Sequence, residues 1–230
     1  MSRIRCFTLY GFACLAAILS NIPVAHGQTI IDAYELTGVD SPTPFAPATS
    51  TVPGVSGIDI LRNSVLSDVS GTTNSFNSSG WNSGTGIVSL AFNITASEAV
   101  TLNQFEFGDR SSATGPGSMN VLFSVDGGAF VNYDTVIQPS ALYVDTDLTF
   151  APITIHHNLT IDFVVTPGAS AANGGAIGSA GTWRVSDYYD GTYHPVQLDG
   201  IVTQVPEPGE FSLLAGMSVL GISLFRKRRK

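Results

Sequence analysis

Met119-Asn120-Val121-Leu122-Phe123-Ser124-Val125-Asp126-Gly127-Gly128-Ala129-Phe130-Val131-Asn132-Tyr133-Asp134-Thr135-Val136 decides the fold class. Two runs rich in β-branched and aromatic residues, Met119–Val125 and Phe130–Val136, flank an Asp-Gly pair. A tight hairpin needs positive φ at its centre, which Asp and Gly tolerate, so the stretch reads as two antiparallel strands and their turn. Working outward, the same kind of run recurs at Thr29–Leu36, Ile58–Leu66, Ile87–Thr95, Val100–Phe107, Leu148–Ile155, Leu159–Thr166, Thr182–Val185 and Val196–Val202. Turn clusters separate these runs, and no long apolar pattern of period 3.6 interrupts them. Ten short strands without helices predict an all-β fold of two packed antiparallel sheets, a β-sandwich or jelly roll.

Along Val100–Phe107, Leu102, Gln104 and Glu106 alternate with Asn103, Phe105 and Phe107, and both sets carry apolar residues. The nearly continuous apolar run Ile161-Asp162-Phe163-Val164-Val165 suggests burial on both faces. Thr166–Gly181, built mainly of Gly, Ala and Ser, reads as the longest surface loop. Ser41–Pro53, with prolines at 42, 44, 47 and 53, reads as irregular.

The two ends differ from this domain. Arg3 and Arg5 precede an apolar run from Phe7 to Leu19, Pro23 breaks it, and Ala25-His26-Gly27 supplies small residues for cleavage. That order is a secretory signal cut by signal peptidase between Gly27 and Gln28. An uncleaved anchor is the competing reading, but the run falls short of the ~20 residues a span needs. At the other end Val205-Pro206-Glu207-Pro208 precedes an apolar stretch, Phe211–Phe225, and the cations Arg226, Lys227, Arg228, Arg229 and Lys230. A helix over Gly209–Phe225 would be about 25 Å long, against a hydrocarbon core of about 30 Å. It crosses by local thinning or by snorkelling of its basic end, and the cations stay in the cytoplasm.

This tail closely resembles the PEP-CTERM sorting signal of Gram-negative bacteria, matching it at Pro206, Glu207, Pro208, Phe211–Phe225 and Arg226–Lys230. The resemblance implies recognition by an exosortase, cleavage near Pro206-Glu207-Pro208, and a host that makes exopolysaccharide. A second, broader likeness covers about half of the domain. Arg110-Ser111-Ser112-Ala113-Thr114-Gly115-Pro116, Phe123–Gly128, Gly181–Val185 and Leu198–Val202 are similar to stretches of jelly-roll-like modules found in PEP-CTERM proteins. That likeness implies a fold and no chemistry. The expected organisation is a signal peptide (1–27), a β-sandwich domain (28–203) and a sorting signal with a transmembrane helix and basic tail (204–230).

Composition narrows the function. Cys6 and Cys14 both lie in the signal peptide, so the exported part has no disulfide, thiol nucleophile or cysteine metal site. Between Gln28 and Val205 three cations, Arg62, Arg110 and Arg184, face sixteen acids, a net charge of −13. Neither nucleic acid nor an anionic membrane surface is expected as a partner, because binding either requires neutralising phosphates. Arg110 and Arg184 are expected to pair with nearby acids such as Asp109 or Asp187.

Catalytic patterns are absent: there is no Gly-x-Ser-x-Gly elbow and no His-Glu-x-x-His. His156-His157 reads as an edge or turn pair, since neighbours on a strand face opposite ways. Glu106 with Asp109, Asp145 with Asp147, and Asp187 with Asp190 are carboxylate pairs of the type a glycosidase uses. Asp145 and Asp147, read as loop residues, are also the weak calcium candidates; no other metal or cofactor is expected. Trp81, Tyr188 and Tyr189 are the candidates for stacking on a sugar ring, with Tyr193 beside them, whereas Trp183 reads as core. The expected function is that of a non-catalytic envelope or matrix protein that contacts exopolysaccharide. The alternative is a carbohydrate-binding module or a polysaccharide-active enzyme without a recognisable motif.

Overall fold

The computed structural model describes residues 29–36, 45–50, 52–69, 74–95, 98–139 and 142–204. The expected signal peptide, with its Gly27–Gln28 cleavage site, and all but the first residue of the expected sorting signal (204–230) lie outside them. Among the described residues no helix is long and apolar enough to cross a membrane.

The described residues are all-β and antiparallel, apart from one 3₁₀ turn. One sheet contains β1 (Thr29–Tyr34), β3 (Thr49–Ser50), β5 (Ser67–Asp68), β6 (Ser75–Ser79), β8 (Glu98–Ser111), β11 (Tyr143–Ile155), β13 (Thr182–Ser186) and β16 (Val196–Gln204). The other contains β2 (Phe45–Ala46), β4 (Val55–Arg62), β7 (Ile87–Ile94), β9 (Ser118–Val125), β10 (Val131–Ile137) and β12 (Asn158–Val165), in the order β10-β9-β12-β7-β4-β2. A small hairpin, β14 (Tyr188–Tyr189) and β15 (Tyr193–His194), stands apart from both.

The two sheets meet face to face through aromatic rings. Phe105 and Phe107 of the first sheet pack on Phe163 of the second, with ring centroids 6.1 and 5.1 Å apart. Trp183 extends the stack, 5.1 Å from Phe163 and 5.6 Å from Trp81. Truncating one such buried ring typically costs about 3–5 kcal/mol. With no cysteine beyond residue 14, packing and strand pairing carry the stability.

Each of the ten expected strands is present, with shifted ends. The ambiguous alternation along β8 has a structural cause. Asn103 is skipped in the pairing with both neighbours: Leu102 and Gln104 face Gly200 and Asp199 on β16, and Ile153 and Thr149 on β11. This bulge reverses the side-chain phase, so Leu102, Phe105 and Phe107 are all buried while Gln104 and Glu106 point outward. The Asp126-Gly127 turn forms as expected, with φ of 51° and 72° and Gly128 N donating to Val125 O at 2.8 Å. β6 is not among the expected strands: Ser75-Phe76-Asn77-Ser78-Ser79 is too polar to read as one. The irregular stretch Ser41–Pro53 holds the two-residue strands β2 and β3.

Candidate functional site

β8 organises the candidate site. Along one edge it pairs first with β16, over Glu98–Glu106, and then with β13, over Gly108–Ser111. β11 occupies its other edge. Between β13 and β16 the chain leaves the sheet as the β14–β15 hairpin and folds across β8, so that Tyr189 N donates to Asp145 Oδ1 on β11 at 2.9 Å. The crossing lies over Gly108, where an added Cβ would sit 2.4 Å from the carbonyl oxygen of Asp187. Only glycine allows that approach.

Directly opposed residues of a ladder share a face. Glu106 lies opposite Asp147 and Gln197, and Gln104 opposite Thr149 and Asp199. Two amides tie the acids together. Gln104 Nε2 donates to Glu106 Oε1 at 2.9 Å and to Asp147 Oδ1 at 3.0 Å. Gln197 Nε2 donates to Glu106 Oε2 at 2.5 Å and to Asp199 Oδ2 at 3.2 Å. Burial, and then the neighbouring Glu106 charge, push the Asp199 carboxyl up to about 6, against the opposing hydrogen bond from Gln197. Burial and the charges of Glu106, Asp147, Asp190 and Asp145 likewise raise the half-buried Tyr188 hydroxyl.

Tyr188 is the hairpin ring in the field of this row, and Tyr189 and Tyr193 share the hairpin's other face. Tyr189 and Tyr193 are 49% and 65% exposed, their centroids 4.8 Å apart. His194 Nε2 meets Asp190 Oδ1 at 3.1 Å, across the turn. The hairpin thus offers flat apolar surface, and the sheet it crosses carries fixed carboxylate and amide groups.

Several expected roles change. Trp81, expected to be exposed, is fully buried, with Nε1 donating to Ser78 O at 2.8 Å. A 3₁₀ turn between Gly80 (φ 94°) and Gly84 (φ 71°) folds the ring back into the sandwich. It lies at the bottom of a cleft of about 480 Å³ that includes Thr166, Pro167 and Ile177, and it offers no free face for stacking. Asp145 and Asp147 lie on β11, not in a loop, and are engaged by Tyr189 N and Gln104. Among the described residues, no group of three or more His, Cys, Asp and Glu could hold a metal. Glu106 and Asp109 point to opposite faces of β8, and Asp187 is buried, accepting a bond from Leu36 N at 3.1 Å, while Asp190 is exposed. His156 and His157 form the turn between β11 and β12.

The arginines do not pair with Asp109 or Asp187. Asp109 is wholly buried; its Oδ2 accepts from Gln138 Nε2 and, at 3.2 Å, from Trp183 Nε1. Burial raises its carboxyl to about 8, despite those bonds. Arg110 and Arg184 instead lie opposite one another on β8 and β13, both over the Tyr143 ring. Trp183 is core, as expected. Sequence reasoning does not reach Tyr143, Gln104 or Gln197; the outward phase of β8 is the signal that leads to the two amides.

No family model matches the chain, and neither does any curated protein. Among solved structures, it is similar to the Y46A mutant of the family 29 carbohydrate-binding module CBM29-2: 15% identity, TM-score 0.42, covering 77% of this chain and 92% of that one. Another family 29 module gives 13%, 0.43, 76% and 90% in the same order. A CBM4 structure gives 14%, 0.31, 60% and 86%. Likenesses of this size carry no weight for what the chain binds.

Proposed function

We propose that this chain is an exported, non-catalytic protein that binds a glycan on the outward face of β16, β8 and β11, beneath the β14–β15 hairpin. The observation that carries the reading is a hairpin that presents the exposed Tyr189–Tyr193 pair on one face and, on the other, Tyr188 in the field of the amide-linked row of Glu106, Asp147 and Asp199. Aromatic faces pack on sugar rings, and carboxylates and amides accept and donate hydrogen bonds to hydroxyls. Holding those polar groups in a network before the ligand arrives lowers the ordering cost of binding. Binding rather than hydrolysis is the reading because the acids are tied to amides instead of flanking an open gap. Calorimetry against a panel of neutral and acidic oligosaccharides tests it. Tyr189→Ala/Tyr193→Ala is expected to lose about ten-fold or more in affinity, in line with ~1–3 kcal/mol for an aromatic contact. Unchanged affinity counts against the reading, and release of new reducing ends would make the chain an enzyme.

The second part of the proposal concerns sorting. The order Pro206-Glu207-Pro208, apolar stretch and basic end supports cleavage by an exosortase after export through signal peptidase. The mature chain would run from Gln28 to near Pro206 in the envelope or matrix, in contact with exopolysaccharide. Intact mass of protein from the host envelope and medium checks this: a chain still ending at Lys230 would make the tail a permanent anchor.

A further inference from the structure

Arg110 and Arg184 present an unusual arrangement for so acidic a domain. Only three cations lie between Gln28 and Val205, against sixteen acids. Arg62 pairs with Asp68. Among the described residues Arg110 and Arg184 have no ion-pair partner, and they face each other across β8 and β13. Like charges directly opposed on a sheet are destabilising. Arg184 is moreover only 9% exposed, and burial, then the Arg110 charge, lower its pKa with the Tyr143 hydroxyl opposing. What the two share is the Tyr143 ring, 5.1 and 4.9 Å from their guanidinium carbons, on a side chain 53% open to solvent.

We infer that Arg110, Arg184 and Tyr143 form an anion subsite that takes the carboxylate of an acidic sugar. Guanidinium forks match a carboxylate in plane and spacing, and an anion there relieves the repulsion between the two cations. The half-open Tyr143 ring offers the adjoining surface on which a sugar ring packs. Asp145, two residues along β11 from Tyr143 and opposite Gly108, has its Oδ1 engaged by Tyr189 N, which draws it toward the hairpin. Arg110 lies four residues along β8 from Glu106, about 13 Å at strand rise, with the hairpin crossing between them. The subsite is therefore distinct from the amide-linked row, although as a sugar site it rests on the glycan reading above. It also accounts for how a domain of net charge −13 can hold an acidic polysaccharide: the repulsion is overcome locally, by the two cations it leaves unpaired.

Calorimetry on the full chain tests this with galacturonate oligomers, their methyl esters, and sulfated galactose oligomers. The free acid is expected to bind at least ten-fold tighter than the ester, which keeps the ring and removes the charge. Arg110→Gln, at a half-buried position, is expected to lose a similar factor without a fall in melting temperature, and Arg184→Lys to lose less than Arg184→Gln. Equal binding of acid and ester, or full affinity in Arg110→Gln, overturns the inference. Tighter binding of the sulfated oligomer overturns its assignment to a carboxylate. Failure of the wider reading looks different. If acid binding depends on Arg110 but not on Tyr189 and Tyr193, the anion subsite stands and the hairpin-face reading falls. If neutral oligomers bind through Tyr189 and Tyr193 with Arg110→Gln indifferent, the reverse holds. Absence of binding to any of the three probes and to the neutral panel overturns both.

Discussion

Replacing Asp109 by Asn isolates a large electrostatic cost in the core. Asp109 is wholly buried, and its Oδ1 and the Oε1 of Gln138 both lack a hydrogen-bond partner. Gln138 Nε2 and Trp183 Nε1 supply donors to Oδ2 alone. The folded carboxyl titrates at about 8, against about 3.9 in an unfolded chain. Between those values the folded state holds a proton that the unfolded state has released, so stability falls as pH rises through the window and is fully retained below about 4. At about 1.4 kcal/mol per unit the loss is roughly 4 kcal/mol at pH 7 and approaches 6 above pH 8. Asn keeps the shape of the neutral acid, never ionises, and brings an N–H group that Gln138 Oε1 can accept. The Asp109→Asn variant is therefore expected to match wild type near pH 4 and to exceed it by several kcal/mol at pH 7 and above. Urea unfolding at pH 4, 7 and 9 reads this through tryptophan fluorescence, since Trp81 and Trp183 are both buried. Asp199 and Asp162, also raised chiefly by burial, give both proteins a similar slope, so the difference between the two curves isolates Asp109. A difference that stays flat with pH, or a variant less stable than wild type at pH 7, would show that Asp109 is not held protonated in the fold.

Two further substitutions probe the elements that build the site and the sandwich. Gly108→Ala places a Cβ 2.4 Å from Asp187 O; it should displace the hairpin, cost about 1–3 kcal/mol in urea unfolding, and weaken glycan binding by calorimetry. Asp126 accepts backbone hydrogen bonds from His157, Asn158 and His156, His157 N at 2.7 Å, and despite some burial these hold its carboxyl below the usual range. Asp126→Ala should cost about 1–3 kcal/mol at neutral pH. That stabilisation is present above the normal carboxylate pKa and is lost as pH falls through the depressed folded value, so the gap to wild type should narrow as pH falls below about 3.9.

The sheet was legible because its strands announce themselves locally. β9 and β10 flank an Asp-Gly turn, and β12 carries Leu159, Ile161 and Phe163 at period two, all buried. Local pattern failed where a partner decides. β6 is a strand because it pairs with β13, far along the chain, and its Ser75, Asn77 and Ser78 are buried there. Trp81 sits in a run of Ser, Asn and Gly that reads as surface, but the two positive-φ glycines around it return the ring to the core. Tyr189 stood out in the sequence, whereas the polar row on the sheet that the hairpin crosses comes from β8, β11 and β16. Their grouping depends on the Asn103 bulge, which sets the outward phase of Gln104 and Glu106. Nor does sequence spacing reveal that Arg110 and Arg184 meet over Tyr143 rather than an acid.

The most direct measurement is a structure of the chain with an oligosaccharide bound, chosen from the panel by calorimetry. A sugar ring is expected on Tyr189 and Tyr193, with hydroxyls of the bound chain bonded to Glu106, Asp147 or Gln197. A saccharide seated in the Trp81 cleft, with the hairpin face left bare, would contradict that placement.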